Sequence, residues 1–429
     1  MTNIDRTIAP EVKTIKELKL REPEQIVFPN NNSCFLWHDD KNELLKIDIV
    51  IAAGSIAQKK TMTAYFTSKL LKEGNQTKSS SGIADIIDFH GAHMEFQVDK
   101  DEMTATLFCL KKHAEKLIPL FSETLYQPIF PEEEITQLKT IEKAKLSINT
   151  EKMEYLTAIR FNQEVFGQEH PYGWTPSIEA IESIERKNII DFHQDNILQK
   201  NADIYVSGAY DDEIIQSLEK HFGKQIITKK EASQNTPFLL VASADSQILQ
   251  EKPNAIQSAI RIGNTTINKT HPDHFYLYFT TVLLGGYFGS RLMKKIREEK
   301  GYTYGIGSLY QTLKDSGVFL IATQVNNKYT ADTIKSIFEE MERLKKESIL
   351  TEELNTVKAY INGSLLRKFD SVFSLTNLYK KNRLYGLNFS YYSSLMSKIN
   401  TIDTKTINAI AAKYFDKNQL KTVISGNLK

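Results

Sequence analysis

The sequence predicts an α+β fold of two homologous domains, each a largely antiparallel sheet with packed helices. Two observations carry this. Strand-like and helix-like segments come in strand–strand–helix–helix groups rather than in strict alternation, which disfavours a doubly wound parallel sheet. The order also repeats. AEKLIPLFSETL, around Leu117–Phe121, is matched by ADTIKSIFEEME, around Ile334–Phe338, 217 residues on. FPEEEITQLKTIEKAKL from Phe130 is matched by LTEELNTVKAYINGSLL from Leu350, 220 residues on. A period this long means two whole domains and not a solenoid. The polar stretch TKKEASQNTP, Thr228–Pro237, reads as the linker, giving domains over 1–227 and 238–429.

Each element follows from a local pattern. Residues 1–24 are polar and read as an extended or poorly ordered arm. Gln25–Phe28 and Ser33–Trp37 are strand-like, joined by the turn signal Asn30-Asn31-Asn32, and the largely apolar Leu44–Ala53 is a third strand. Thr61–Leu71 is a helix with Met62, Tyr65, Phe66 and Leu70 as its apolar positions. Ser79–Phe89 is a second helix, with serine caps before it and Gly91 as its stop. Met94–Leu110 reads as two strands around Asp99-Lys100-Asp101. Lys112–Tyr126 has helical periodicity. Pro131–Phe166 is a long helical region, opened by Pro131 and three glutamates as the helix dipole favours.

Composition narrows the function. The 429 residues are 41% hydrophobic and 25% charged, which excludes a disordered chain. A net charge of +1 gives no basic field for nucleic acid or an anionic membrane. The first residues lack the apolar core of a signal peptide, and no apolar run approaches the roughly 20 residues of a membrane helix. Cys34 and Cys109, far apart, make no disulfide framework. A cytoplasmic protein is expected. No Gly-x-Gly-x-x-Gly or phosphate-loop lysine motif supports nucleotide binding.

Three constellations bear on chemistry. His90 and His93 have a spacing that can bind a metal, but Gly91 between them and the lack of a supporting carboxylate favour a turn. His271 and His274 precede a helix, with Asp273 a plausible cap. The most individual segment is LLGGYFGSRLMKKIREEKGYTYGIG, Leu283–Gly307. Gly285, Gly286 and Gly289 interrupt a helical apolar run, at about 1 kcal/mol each against Ala, so the backbone is wanted as loop or for close approach. A helix runs through Arg297 and stops at Gly301, and Tyr302 and Tyr304 enter a strand on one face. That reversal brings Arg297 and Tyr304 together as a donor pair suited to a peptide carbonyl or oxyanion. The plainer reading is a solvated Arg beside Glu298 and Glu299 and a core Tyr.

GGYFGSRL followed by IREEKGYTYGI resembles the C-terminal-half signature of the insulinase/pitrilysin family, which includes the mitochondrial processing peptidase subunits. FGQEHPYGW, Phe166–Trp174, resembles its first half. The resemblance covers nearly the whole chain and implies two α+β domains facing each other across a cleft. Active members carry His-x-x-Glu-His on a first-half helix and a distal Glu on a later one. Aligned on that pattern, Tyr65 and Lys69 stand at the histidines, Ser68 at the base and Lys145 at the distal Glu. Every ligand is missing. An ammonium has no lone pair and repels zinc. Lys69 can pair with Glu73, and Lys145 with Glu142, as ordinary helix pairs.

Some members of the family work as pairs in which one chain lacks the zinc motif. The resemblance therefore implies the non-catalytic subunit of a heterodimeric zinc metallopeptidase acting on unfolded peptides. No cofactor is expected in this chain; zinc is expected in a homologous partner subunit. Arg297 and Tyr304 match the family's substrate-holding pair, with Gly285, Gly286 and Gly289 allowing close approach to substrate or partner. Partners in nucleic acid or membrane are not expected. A peptide-binding scaffold or homodimer without proteolytic activity stays open. A peptidase using another site stays open too, although no Ser/His/Asp or Cys/His constellation is visible in the sequence.

Overall fold

The computed structural model describes residues 7, 18, 20–224 and 245–427. The expected linker at 228–237 and most of the N-terminal arm lie outside the described residues. The first half runs β1 (Glu24–Val27), β2 (Ser33–His38), β3 (Leu44–Ile51), α1 (Thr63–Leu70), α2 (Ser80–Phe89), β4 (His93–Val98), β5 (Met103–Leu110), α3 (Ala114–Tyr126), α4 (Glu132–Asn149), α5 (Met153–Phe166), α6 (Ile178–Glu182), α7 (Arg186–Phe192), β6 (Ala202–Gly208) and α8 (Asp212–Phe222). The second runs β7 (Gln247–Glu251), β8 (Gln257–Thr266), α9 (His274–Thr281), β9 (Ile306–Thr312), β10 (Gly317–Asn326), α10 (Thr330–Lys346), α11 (Thr351–Leu366), α12 (Val372–Arg383), α13 (Ser390–Thr401), α14 (Thr404–Tyr414) and β11 (Lys421–Gly426).

The sheets share one topology. The first has the order β1-β2-β6-β3-β5-β4 and the second β7-β11-β8-β10-β9, so β2-β6-β3-β5-β4 maps onto the second in sequence. In each, a single pairing, β2–β6 or β7–β11, is parallel and the others are antiparallel. Leu117–Phe121 on α3 and Ile334–Phe338 on α10 follow equivalent strands, as the repeat predicts.

Strand periodicity shows why β3 is apolar almost throughout. Successive side chains point to opposite faces. Leu45, Ile47, Ile49 and Ile51 enter the core with α1, α3 and α8, while Val50, with Phe35, Trp37 and Tyr205 of β2 and β6, enters the core of the second half. That second face is covered by α12, which lays Tyr379 against Phe35 and Trp37 at centroid separations of 5.4 and 5.1 Å. Reciprocally, α5 of the first half packs on β8 and β11. Its Phe161, Val165 and Phe166 bury against Val318 and Val423. Each half thus lends a helix to the other's sheet.

Polar contacts fix this exchange. Asp48 on β3, fully buried, accepts from Lys380 Nζ of α12 at 2.5 Å and from Thr106 Oγ1 at 2.6 Å, with Lys46 Nζ at 2.9 Å. Burial opposes its charge, but the two lysines outweigh burial and hold its carboxyl below the usual range. Tyr172 donates to Asp101 Oδ1 at 2.5 Å, and the other oxygen, Oδ2, accepts from the Lys314 amide of the β9–β10 turn.

Two local expectations need correction. Pro131–Phe166 is two helices, because Thr150–Lys152 break it, and Pro131 caps α4 with extended backbone rather than lying in its first turn. Asp273 does not cap α9 with its side chain. Its Oδ2 accepts from Lys413 Nζ and Tyr414 instead. The Ser79 cap holds, its Oγ accepting from Gly82 N at 3.2 Å, and Gly91 ends α2 at φ 57°.

Phe161→Ala removes a fully buried ring from the exchanged helix and should destabilise the chain by about 3–5 kcal/mol. Because α5 covers the other half's sheet, hydrogen exchange should rise in β8 and β11 as well as in α5. Loosening confined to α5 would contradict the packing described.

Candidate functional site

Helix α1 begins under constraint. Met62 at its N-cap has φ 75°, and Gln58 Oε1 accepts from Ala64 N at 3.0 Å, satisfying one of the open amides. Against it lies α4. Together they gather the four positions that the sequence aligned with a zinc site, and the hub is a residue that alignment did not assign. Glu142 Oε1 accepts from Tyr65 Oη at 3.1 Å and from Lys145 Nζ at 2.7 Å. Lys69 Nζ lies 5.6 Å from the Tyr65 ring centroid. Ser68 Oγ turns back to donate to the Tyr65 carbonyl at 2.8 Å. The Lys145–Glu142 pair is as expected; the Lys69–Glu73 pair does not form, Glu73 accepting from Ser80 Oγ.

These donors do not fit zinc. Burial and then the Glu142 carboxylate push the Tyr65 phenol up to about 12, so it keeps its proton at neutral pH. The other two positions carry ammonium groups. Glu142 remains as a carboxylate, already engaged by two donors. Among the described residues, no group of three or more His, Cys, Asp and Glu is placed to hold a metal ion. His90 rests against His113, with centroids 4.5 Å apart, while His93 pairs with Glu95.

Tyr65, Ser68 and Lys69 open onto a cavity of about 770 Å³ between the halves. The second half contributes Lys269, from the loop between β8 and α9, and Lys381 and Tyr385 from α12 and its end. Glu102 lies on the first-half wall, where burial and then Asp101 and Asp203 push its carboxyl up to about 7.

The Leu283–Gly307 segment builds a second site. Helix α9 continues into π-helical turns at Val282–Gly286, and another such segment spans Met293–Glu299. Gly285 is buried against β9, and a Cβ there would lie 2.6 Å from Ser308 N. Gly286 packs on Val282 and Gly289 beside the Tyr287 ring. The close approach these glycines permit is thus to the chain's own fold. Gly301, at φ 64°, ends the π segment. Beyond it the expected strand over Tyr302 and Tyr304 is absent; β9 starts at Ile306. Tyr302 stacks on Tyr329 at 4.1 Å, and Tyr304 is 94% exposed.

Arg297 and Tyr304 do meet, as the sequence predicts. The guanidinium carbon is 5.7 Å from the Tyr304 centroid and 4.4 Å from that of Phe288, itself 64% exposed. Phe288 was missed: it was legible only as part of GGYFGSRL, with nothing to say it would stack on Arg297. Neighbouring Arg291 is committed elsewhere, paired with both Glu353 oxygens at 2.8 Å. Tyr304 lines a cavity of about 740 Å³ with Glu154 and Thr157 of α5 and Arg261 of β8, separate from the one beneath α1.

Lys269 supplies a pH test of the first cavity. Burial, then Lys381 and Lys368, push its ammonium down to about 7. The unfolded chain holds that proton up to about 10.4, so the native state gains stability from this group as pH rises from 7 toward 10. Lys269→Met removes the term. Its stability relative to wild type should be greatest near pH 6 and should fall as pH rises to 10, measured by urea denaturation. A pH-independent difference would contradict a depressed Lys269.

The chain is similar to known proteins along most of its length. The family profile described as "Insulinase (Peptidase family M16)" matches residues 35–169, and "Peptidase M16 inactive domain" matches 183–361. An uncharacterized zinc protease, YmxG, of Bacillus subtilis is 22% identical over 85% of this chain and 89% of its own length. The non-peptidase homolog YmxG of Helicobacter pylori is 23% identical over 91% of both. A peptidase M16 inactive domain from Pseudomonas fluorescens superposes with a TM-score of 0.82 at 21% identity, covering 94% of this chain and 98% of that one. A Helicobacter pylori protease gives 0.84 at 19%, covering 95% and 100%. With the two profiles covering residues 35–169 and 183–361 and the two-domain fold in common, the chain belongs to the insulinase family of peptidases, M16.

Proposed function

We propose that this chain is the non-catalytic subunit of a heterodimeric zinc metalloendopeptidase that degrades or processes unfolded peptides. The observation that carries the reading is a contrast inside one chain. Of the positions aligned with a zinc site, Tyr65 and Lys145 are tied up by Glu142, whereas the exposed rings of Tyr304 and Phe288 flank a half-buried Arg297. Tyr304 and the Tyr65–Lys69 face line different cavities, so the donor pair does not serve this chain's own degenerate site. It serves a homologous partner bearing His-x-x-Glu-His, which holds the zinc. In that role the Arg297 guanidinium and Tyr304 hydroxyl donate to a substrate carbonyl, and Phe288 orients the guanidinium by stacking. Gly285 acts one layer behind, letting the helix and β9 pack closely, while Gly286 and Gly289 pack on Val282 and Tyr287 of the same segment that presents the pair.

Relatives named as a non-peptidase homolog and as an inactive domain support a supporting role. The reading includes a cytoplasmic location, supported by two buried free cysteines. Among the described residues no helix is long and apolar enough to cross a membrane.

The test mixes this chain with a homologous zinc-motif chain and follows cleavage of an unfolded peptide. The mixture should cleave where neither chain does alone. Arg297→Ala and Tyr304→Phe should each lower kcat/KM by about 100-fold, as loss of one transition-state donor does, with the complex unchanged in size. Variants that pair normally and turn over like wild type would leave a scaffold without a substrate role.

A further inference from the structure

Spacing along the chain couples His90 with His93, but the fold couples His90 with a residue of another helix. His90 stands at the C-cap of α2 and His113 at the N-cap of α3. Their ring centroids lie 4.5 Å apart, with the planes tilted by 47° rather than stacked flat. Phe89 packs nearly at right angles on the His90 ring, at 5.1 Å. Neither imidazole has a structural task at its helix end. His90 Nδ1 is shielded from solvent without a hydrogen-bond partner, and the His113 side chain makes no cap bond to α3. Among the described residues, neither ring takes part in a hydrogen bond or an ion pair. His93, by contrast, is paired with Glu95. A shielded polar nitrogen left without a partner is uncommon in a folded protein and requires an explanation.

Two neutral imidazoles this close are a ligand pair. A ring nitrogen binds a divalent transition ion at about 2.0–2.1 Å, so the ion stands about 3 Å from each centroid and the centroids can be up to about 6 Å apart. The observed separation falls inside that span. Protonation would remove the lone pairs, and the surroundings oppose it. Desolvation, then His90, Lys112 and Lys116, push the His113 imidazole below its usual value. The same two lysines repel a cation, which keeps the affinity below that of a full metal centre. Nitrogen donors do not suit calcium or magnesium, which take oxygen. They suit zinc, nickel and above all Cu(II). No cluster of three or more His, Cys, Asp and Glu forms among the described residues, so water completes the coordination and the ion is lost on desalting.

We propose that His90 and His113 bind a divalent transition-metal ion, Cu(II) most tightly, which bridges the end of α2 to the start of α3. The pair lines neither of the two cavities described above and includes none of Tyr65, Ser68, Lys69 and Lys145. The proposal is therefore independent of the peptidase role.

Titration of the full chain with Cu(II), followed by calorimetry and by electron paramagnetic resonance, tests it. One ion should bind saturably at this pair, and its spectrum should show two imidazole nitrogens. His90→Gln and His113→Gln should each weaken that ion about tenfold or more, since even loss of a group that only supports a ligand costs about 10–100-fold. Each should also reduce the spectrum to one nitrogen. Both positions are partly exposed, so the melting temperature of the metal-free variants should stay near that of wild type. His93→Gln should change nothing, and excess calcium should not displace the ion. Absence of saturable binding, binding undiminished in both variants, or a loss caused by His93→Gln alone would each overturn the proposal.

Discussion

The structure depends on an exchange of helices across its two halves. A sheet in the middle of a domain has two apolar faces and needs cover on both. Each half supplies helices for the outer face of its own sheet. The inner face is closed by the other half, α12 over β2 and β6, and α5 over β8 and β11. Asp48 makes the arrangement specific, because a carboxylate with no solvent exposure requires Lys380 from the far half beside Lys46 from its own strand. Neither half is a free body, and the cavities take their shape from that.

Within this frame lie Tyr65, Ser68, Lys69 and Lys145, the positions that the sequence resemblance aligns with a zinc site. The geometry of α1 against α4 still brings four side chains to one place. There a proton-bearing phenol, Tyr65, and one ammonium, Lys145, both donate to Glu142, while Lys69 lies over the Tyr65 ring. The same cavity ends in further lysines on the second half, so its character is that of a polar chamber with charged walls rather than a metal pocket.

Much of this was legible in the sequence, for physical reasons that differ by feature. Periodicity located β2, β3, α2 and α3 within a residue or two, because burial imposes it directly. The duplication was legible since α3 and α10 follow equivalent strands, although the burial register differs by one residue: buried Leu117 and Phe121 correspond to buried Thr333 and Ile337, while Ile334 and Phe338 are half-buried. The meeting of Arg297 and Tyr304 followed from a helix stop at Gly301. Three features were hidden. Tyr302 and Tyr304 diverge because the chain does not enter the sheet until Ile306, a matter of where β10 ends its pairing at Ile306–Thr323. The helix exchange has no local signature, as Phe161 and Val165 look alike whichever sheet they cover. Lys269 sits in an unremarkable polar loop, and only the fold surrounds it with Tyr385, Tyr391 and Asn382.

The most direct test of the central claim, that α1 and α4 keep the frame of a zinc site without its donors, is zinc stoichiometry after equilibration and desalting. Wild-type protein should retain no stoichiometric zinc. The variant combining Tyr65→His, Ser68→Glu, Lys69→His and Lys145→Glu should retain about one ion per chain, since three protein donors with an open position make a catalytic-type zinc site. One zinc bound by wild type and removed by Tyr65→Phe or Lys145→Ala, or a folded quadruple variant that binds none, would contradict the account.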